Sequence, residues 1–111
     1  MEIHFTARRF RAHPNVREHA VDAVRKLDRY FDGIRRCDLI LGFERTTNSL
    51  KWVEINVHVN RTLLTAVEKS DDFHKSIDLA VDKIERQLKK YKSKSRMKDK
   101  KKVRRVKSKA V

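Results

Sequence analysis

The sequence predicts an α+β fold: a two-layer sandwich in the order β-α-β-β-β-α, with a four-stranded mixed sheet covered on one face by two helices. Three observations predict it. Two segments repeat apolar residues at helical spacing, four short segments alternate apolar and polar residues, and each segment has a single apolar side. Because such elements bury their apolar sides against one another, two layers around one core are the expected arrangement.

The first part of the chain is predicted to be a βαβ unit. Residues 3–7 alternate apolar and polar side chains, as a half-buried strand does. Pro14 suits the start of the helix that follows, and Gly33 suits its end. The apolar stripe of this helix consists of Val16, Ala20, Ala23, Val24, Leu27, Tyr30 and Phe31. The alternating segment 37–43 is then a second strand, which a helical crossover makes parallel to the first.

Two further strands should follow as antiparallel hairpins. The polar residues 46–49 predict a turn, and residues 53–59 form the clearest alternating strand in the sequence. Residues 60–61 make a tight turn before a last strand over 62–68. Its inward side is left open, because either Leu64 and Ala66 or Leu63 and Val67 would present apolar groups to the core. Trp52, Glu54, Asn56 and His58 are expected on the opposite face of the sheet.

The second helix is predicted to begin after Ser70, which is a suitable N-cap residue. Asp71 and Asp72 would then lie in its first turn, where the helix dipole favours acidic groups. The apolar stripe of this helix consists of Phe73, Ile77, Ala80, Val81, Ile84, Leu88 and Tyr91. The periodicity fades after Lys92. The sequence therefore predicts a domain over residues 1–92 and a basic tail over 93–111 that is disordered in isolation.

Charge is the strongest indication of a partner. The formal net charge is +14, and residues 93–111 contribute +9 of it, from ten Lys or Arg against Asp99 alone. The first 92 residues hold 19 Lys or Arg and 14 Asp or Glu, a net of +5. A phosphate-bearing partner explains a basic domain and a strongly basic tail together. A purely solubilising tail and a patch for anionic membranes are the alternatives.

Several classes of protein are disfavoured. The sequence contains no stretch of 18 apolar residues, which a membrane span would need. The first residues do not have the pattern of a secretory signal. A cytoplasmic location is therefore expected. Cys37 is the only cysteine, and with only two glycines there is no glycine-rich phosphate loop. The five histidines lack metal-site spacing. We therefore predict a protein that is not an enzyme and has no cofactor, metal or small-molecule substrate. A metal-dependent nuclease built on Glu54 and His58 is the catalytic alternative.

Basic residues cluster on one flank of the second helix. At 3.6 residues per turn, Lys83, Arg86 and Lys90 fall within an arc of roughly 60° beside the apolar stripe. Asp78, Asp82 and Glu85 fall on the opposite flank, mixed with Lys89. Such segregation suits contact with a phosphate backbone. The alternative is an ordinary solvated face with i,i+4 ion pairs such as Asp82–Arg86.

The first helix carries Arg25, Lys26 and Arg29 on its outer flank. If the two helices lie side by side, these residues and those of the second helix would form a single basic ridge or groove. Trp52 could stack on a base, or it could cover an apolar edge of the sheet. A single exposed aromatic residue argues against an aromatic platform of several rings.

The second helix also carries a family resemblance. Residues 72–78 (DFHKSID) and 82–92 (DKIERQLKKYK) resemble the hallmark helix of the ribosome hibernation-promoting factors, a family that includes the ribosome-associated inhibitor and the sigma-54 modulation proteins. Residues 27–32 (LDRYFD) resemble the end of that family's first helix, and residues 3–7 (IHFTA) its first strand. The resemblance covers about residues 1–92.

The resemblance implies a β-α-β-β-β-α domain lodged in the channel of the small ribosomal subunit where messenger and transfer RNA would lie. Translation would be blocked by occlusion, and the partners would be the small subunit and its rRNA. Basic residues of the second helix that match the family pattern are Lys83, Arg86, Lys90 and Lys92. Lys26 matches a lysine of the family's first helix, whereas Arg25 and Arg29 are assigned to RNA binding only by their place on the helix.

Two departures from the family pattern matter. Phe73 stands where relatives usually have tyrosine, so any hydroxyl contact there is absent. The sequence resembles a short form, without the second domain through which long forms join ribosomes into dimers, and its basic ending differs from familiar short forms. Association with dimers of idle ribosomes is therefore left open. A modulator of a transcription factor and a general double-stranded-RNA-binding module are the alternative functions.

Overall fold

A computed structural model describes residues 1–44 and 50–110, with the side chains of residues 1–44 and 50–93. Its elements are β1 (Glu2–Ala7), α1 (Pro14–Tyr30), β2 (Ile34–Phe43), β3 (Lys51–Val59), β4 (Thr62–Ser70) and α2 (Phe73–Ala110). The predicted order β-α-β-β-β-α is confirmed. The turn predicted at residues 46–49 lies outside the described residues.

The sheet is mixed, with the strands in the order β1-β2-β3-β4. β1 pairs in parallel with β2, and the β2–β3 and β3–β4 pairs are antiparallel. α1 lies on β1 and β2, α2 lies on β3 and β4, and the two helices contact each other. They therefore cover the same face of the sheet, which confirms the two-layer sandwich.

The register of β4 answers the question that the sequence left open. Leu64 lies opposite Val57, and Ala66 lies opposite Ile55. Because residues directly opposite each other in adjacent strands share a face, Leu64 and Ala66 turn towards the core. On the outer face, Leu63 is 55% exposed and Val67 43% exposed.

α1 begins at Pro14 as predicted, but its end and the start of α2 differ slightly from the sequence prediction. α1 ends at Tyr30, where the extended Phe31 donates its backbone N–H to the Leu27 carbonyl, so the helix stops before Gly33. The N-cap of α2 is Asp72, whose carboxylate accepts a hydrogen bond from the Lys75 backbone N–H at 3.2 Å. The prediction of Ser70 as cap was wrong, because that residue still pairs in the β3–β4 ladder.

The two helices run parallel, side by side. Near their beginnings, His19 Nε2 lies 2.7 Å from an Asp78 carboxylate oxygen. Near the end of α1, the Phe31 and Tyr91 rings meet edge to face, with centroids 5.5 Å apart. The C-terminal half of α1 therefore lies beside residues 83–92 of α2.

The backbone of α2 continues to Ala110. The prediction that residues 93–111 are disordered in isolation stays a prediction. Lys and Arg have good helix propensity, and neither Gly nor Pro interrupts residues 93–111. The absence of an apolar stripe left this helix without a periodic signal in the sequence. Neither described helix is long and apolar enough to cross a membrane.

The buried Cys37 makes a measurable prediction about stability. Burial, together with the negative charges of Asp38 and Asp28, raises the pKa of the Cys37 thiol to about 12. The unfolded thiol ionises near pH 9, so above that pH the unfolded chain loses its proton first and is favoured. We expect the free energy of unfolding to fall by about 1.4 kcal/mol per pH unit above pH ~9 from this group alone.

Urea denaturation at pH values below and above 9, compared with Cys37→Ala, checks this expectation. The variant lacks the thiol, so its stability should fall less steeply over the same pH interval. Equal slopes for the two proteins would contradict the burial argument. The folded wild-type protein should also react only slowly with a thiol reagent at neutral pH.

Candidate nucleic-acid interface

The seven basic residues predicted to bind RNA are all exposed. Because the helices run parallel, these residues occupy the same end of the helical layer. They are Arg25, Lys26 and Arg29 on α1, and Lys83, Arg86, Lys90 and Lys92 on α2. The structure thus brings them together at one end of the domain, and their role in RNA binding stays a prediction.

The basic flank of α2 faces the open edge of the sheet. Lys83 Nζ lies 2.5 Å from a carboxylate oxygen of Glu68 on β4. One helical turn further, Gln87 donates its side-chain amide to the Thr65 carbonyl of β4 at 2.9 Å. Lys83, Arg86 and Lys90 therefore border β4, on the flank of α2 that points away from α1.

The opposite flank of α2, which meets α1, is acidic. A groove of about 300 Å³ between the helices is lined by Lys26 from α1 and by Asp78, Asp82 and Glu85 from α2. The prediction of a single basic ridge or groove shared by the two helices was therefore wrong. The helical wheel separated the basic from the acidic flank correctly, but it could not tell which flank would meet α1.

The three basic residues of α1 spread around its outer surface. Arg25 lies on the side of β1, where it lines a depression of about 500 Å³ with Met1, Ile3 and Asp28. Lys26 lies on the α2 side, at the acidic groove. Positive charge from α1 is therefore distributed around the end of the domain instead of being concentrated against α2.

Ion pairing leaves most of this charge available. Among residues 1–44 and 50–93, Lys83 is the only one of the seven that forms an ion pair. The alternative pair Asp82–Arg86 is not formed within those ranges. Arg86 and Lys90 consequently carry the clearest uncompensated charge on the β4 side.

Lys89 lies on the flank of α2 that meets α1, as the helical wheel placed it among the acidic residues. Its ammonium group lies over the Tyr30 ring of α1, 5.4 Å from the centroid. Hydrogen bonding with Tyr30 raises the pKa of Lys89. This contact joins the ends of the two helices.

The outer face of the sheet carries a polar network. Asn56 donates to Glu54 at 2.9 Å, and His58 and Arg36 both contact the Asp38 carboxylate, at 3.2 and 2.7 Å. Within the part of the chain that the structure describes, no group of three or more His, Cys, Asp or Glu side chains could hold a metal ion. The network therefore gives the nuclease alternative no support.

Trp52 lies half-buried on the same outer face, over Gly42 of the neighbouring strand. A Cβ at Gly42 would come within 2.3 Å of the indole Cζ2 atom, so glycine provides the space for the ring. The Arg8 guanidinium lies over the indole, 5.7 Å from its centroid. The side chain thus lies on the outer face of the sheet over β2 and retains an exposed part, and base stacking by Trp52 stays a prediction.

Known proteins share this fold and sequence pattern. The family model for Sigma 54 modulation protein / S30EA ribosomal protein matches residues 3–96. A ribosome hibernation promotion factor of Staphylococcus aureus (strain COL) is 31% identical over 78 residues, which are 70% of this chain and 41% of that protein. The chain thus spans less than half the length of this relative.

Two solved structures are similar. A ribosomal subunit interface protein from Coxiella burnetii has a TM-score of 0.76 and 29% identity, over 84% of this chain and 99% of that one. The N-terminal domain of Thermus thermophilus Protein Y has a TM-score of 0.70 and 27% identity, over 82% of this chain and 99% of that one. The fold is that of small α+β domains found in proteins named for the ribosomal subunit interface and for ribosome hibernation. This chain belongs to the Sigma 54 modulation protein / S30EA ribosomal protein family.

Proposed function

We propose that this protein is a translation inhibitor that associates with the ribosome. It binds rRNA of the small subunit in the channel for messenger and transfer RNA, and it blocks translation by occupying that channel. The observation that carries the proposal is the gathering of seven exposed basic residues at one end of the helical layer.

The chemistry of this end suits a phosphate-rich partner. Arginine and lysine side chains make charge-assisted hydrogen bonds with phosphate oxygens and fix the position of a protein on RNA without reading its sequence. Arg86 and Lys90 lie on one exposed flank of α2, and Arg25 and Arg29 add separate positive charge on α1. A compact domain with charge around one end can contact RNA strands from several sides, as occupation of a channel requires.

Similar proteins support the same reading. The relative from Staphylococcus aureus is named a ribosome hibernation promotion factor, and the structure from Coxiella burnetii is named a ribosomal subunit interface protein. Both names place those proteins at the ribosome. We infer the same partner for this chain, together with a role in keeping idle ribosomes inactive.

Sedimentation of a cell lysate through a sucrose gradient tests the proposal. We expect the chain in the fractions of the small subunit or of whole ribosomes. If about six basic residues contact phosphate, raising the salt from about 50 to about 200 mM should weaken binding roughly a thousand-fold. Purified protein should also lower translation in a reconstituted system, and added messenger RNA should compete with it.

Nuclease treatment distinguishes this function from regulation through a protein partner. An RNA-dependent complex is lost when the RNA is digested, whereas a complex with a transcription factor survives. An excess of unrelated duplex RNA would displace a general double-stranded-RNA binder. A chain that stays at the top of the gradient at low salt would rule out the proposed partner.

A further inference from the structure

Another pocket lies at the end of the domain opposite the seven basic residues of the helices. It has a volume of about 390 Å³ and is lined by Arg8, Arg9, Gly42, Phe43 and Trp52. Arg8 and Arg9 follow β1, Gly42 and Phe43 end β2, and Trp52 lies at the start of β3. Its size falls within the range of ligand sites, about 300–1,000 Å³.

The lining of this pocket combines two kinds of chemistry. Trp52 provides an aromatic face, and two neighbouring arginines provide guanidinium groups that match phosphate oxygens in geometry and charge. None of the five described lining residues is acidic. The carboxylate of Glu44, next along the chain, is already paired with Lys69. The pocket therefore favours a flat ring attached to a phosphate.

Neighbouring residues fix the position of the Trp52 indole. Gly42 leaves the space above the sheet in which the ring lies, because any larger residue would push the ring away. On the inner side of the sheet, Phe43 packs edge-on against the stacked rings of Phe10 and Phe73, with centroids 4.9 and 5.2 Å away, and remains 44% exposed. These contacts hold Phe43, the other aromatic residue of the pocket, in place.

The backbone beside the pocket is held in an unusual conformation. Arg9 has a φ of +63°, in the left-handed region that costs a residue with a side chain roughly 1 kcal/mol. Conformations of this kind persist where surrounding structure imposes them, and they are common at binding sites. Here the bend turns the chain after β1 so that both Arg8 and Arg9 line one pocket.

We propose that this pocket binds one nucleotide of single-stranded RNA. The base stacks on the indole of Trp52, and the phosphate is held by Arg8 and Arg9. Arg8, whose guanidinium lies over the indole, moves from the ring to the phosphate when the base takes its place. The proposal rests on the proposed function in taking RNA as the partner, but the site is separate from the helical residues.

Fluorescence gives a direct test, because Trp52 is the only tryptophan of the chain. The probe is a six-nucleotide oligoadenylate, and inorganic tripolyphosphate serves as a phosphate-only control. We expect the oligoadenylate to quench the Trp52 emission as the base stacks, and tripolyphosphate to leave it nearly unchanged. Equal quenching by both probes, or no quenching at saturating oligoadenylate, would overturn the proposal.

Substitutions provide a second measurement that does not depend on tryptophan emission. Binding of a labelled oligoadenylate is followed by fluorescence anisotropy in the Arg86→Glu/Lys90→Glu variant. These two substitutions remove the clearest uncompensated positive charge on the β4 side of α2. Trp52→Leu should weaken binding about ten-fold, whereas Trp52→Phe keeps an aromatic face and should bind almost as the parent does. Circular dichroism establishes that each variant is folded. A folded Trp52→Leu variant that binds like the parent would exclude base stacking.

The outcome is distinguishable from that of the proposed function. If the chain quenches with oligoadenylate but does not associate with ribosomes, the proposed function is overturned and the nucleotide site at Trp52 stands. If the chain associates with ribosomes but shows no quenching, the nucleotide site is overturned and the proposed function stands.

Discussion

Replacing Arg86 and Lys90 with glutamate should weaken association with the small ribosomal subunit by about 100-fold or more. Each substitution removes a phosphate contact and places a like charge beside the RNA, and such juxtapositions cost several kcal/mol. The dependence of log K on log salt should also become shallower by about two. Quantitative sedimentation at several salt concentrations measures both effects.

The two positions were chosen because neither contributes to the core. Both side chains are exposed and unpaired within the described ranges, so the free energy of unfolding should change by less than about 0.5 kcal/mol. Lys83 is less suitable, since its replacement by glutamate would face Glu68 and destabilise the domain. Thermal unfolding establishes that the double variant retains its fold.

A matched control separates a local effect from a general effect of charge. Arg11→Glu with Lys75→Glu changes the net charge by the same amount, at exposed positions near the beginnings of the two helices. This control should lose much less affinity. Undiminished binding by the Arg86→Glu/Lys90→Glu variant would exclude the β4-side flank as an RNA contact.

Removing residues 94–111 should have the second large effect. The deletion removes ten basic residues and Asp99, so the formal net charge falls from +14 to +5 (14 − 9). If the tail lies along RNA, affinity for the small subunit at about 100 mM salt should fall roughly 100-fold, with a shallower salt dependence. Binding measured across a salt series gives both quantities.

Among residues 1–44 and 50–93 the buried core ends at Leu88, so the domain should fold without residues 94–111. A variant with the tail residues in scrambled order is the control: it keeps the charge and should bind nearly as the intact chain does. If the truncated protein binds as tightly as the full chain, the tail serves solubility instead of RNA contact.

Much of the fold could be predicted from the sequence because β2 and β3 each have one dominant apolar side. In β2 and β3 the alternation of apolar and polar residues allows only one side of each strand to face the core. The structure buries Leu39, Leu41, Ile55 and Val57 as expected. β4 was ambiguous because both of its sides carry apolar residues. Its partner strand decides the register, and that information is tertiary.

The candidate site could be predicted only in part. Helical periodicity identified which residues of α2 share the flank of Arg86, but not whether that flank meets α1 or the open edge of the sheet. Which flank of α2 faces α1 depends on how the two helices are placed on the sheet, and no local sequence pattern encodes that placement. Base stacking by Trp52 was one of two predictions from the sequence, but the pocket around it was not predicted, because Arg8 and Gly42 become its neighbours only through the strand register.

The contact of α2 with β4 has a further consequence for how copies of the protein behave at high concentration. β4 is an edge strand with apolar Leu63 and Val67 on its outer face, and such strands tend to pair with another chain. Gln87 already occupies the Thr65 carbonyl on this edge, and Arg86 and Lys90 line it with positive charge. Two molecules that approach by this edge therefore repel each other. The side chains that we propose to bind RNA thus also disfavour pairing of β4 with a strand of a second molecule.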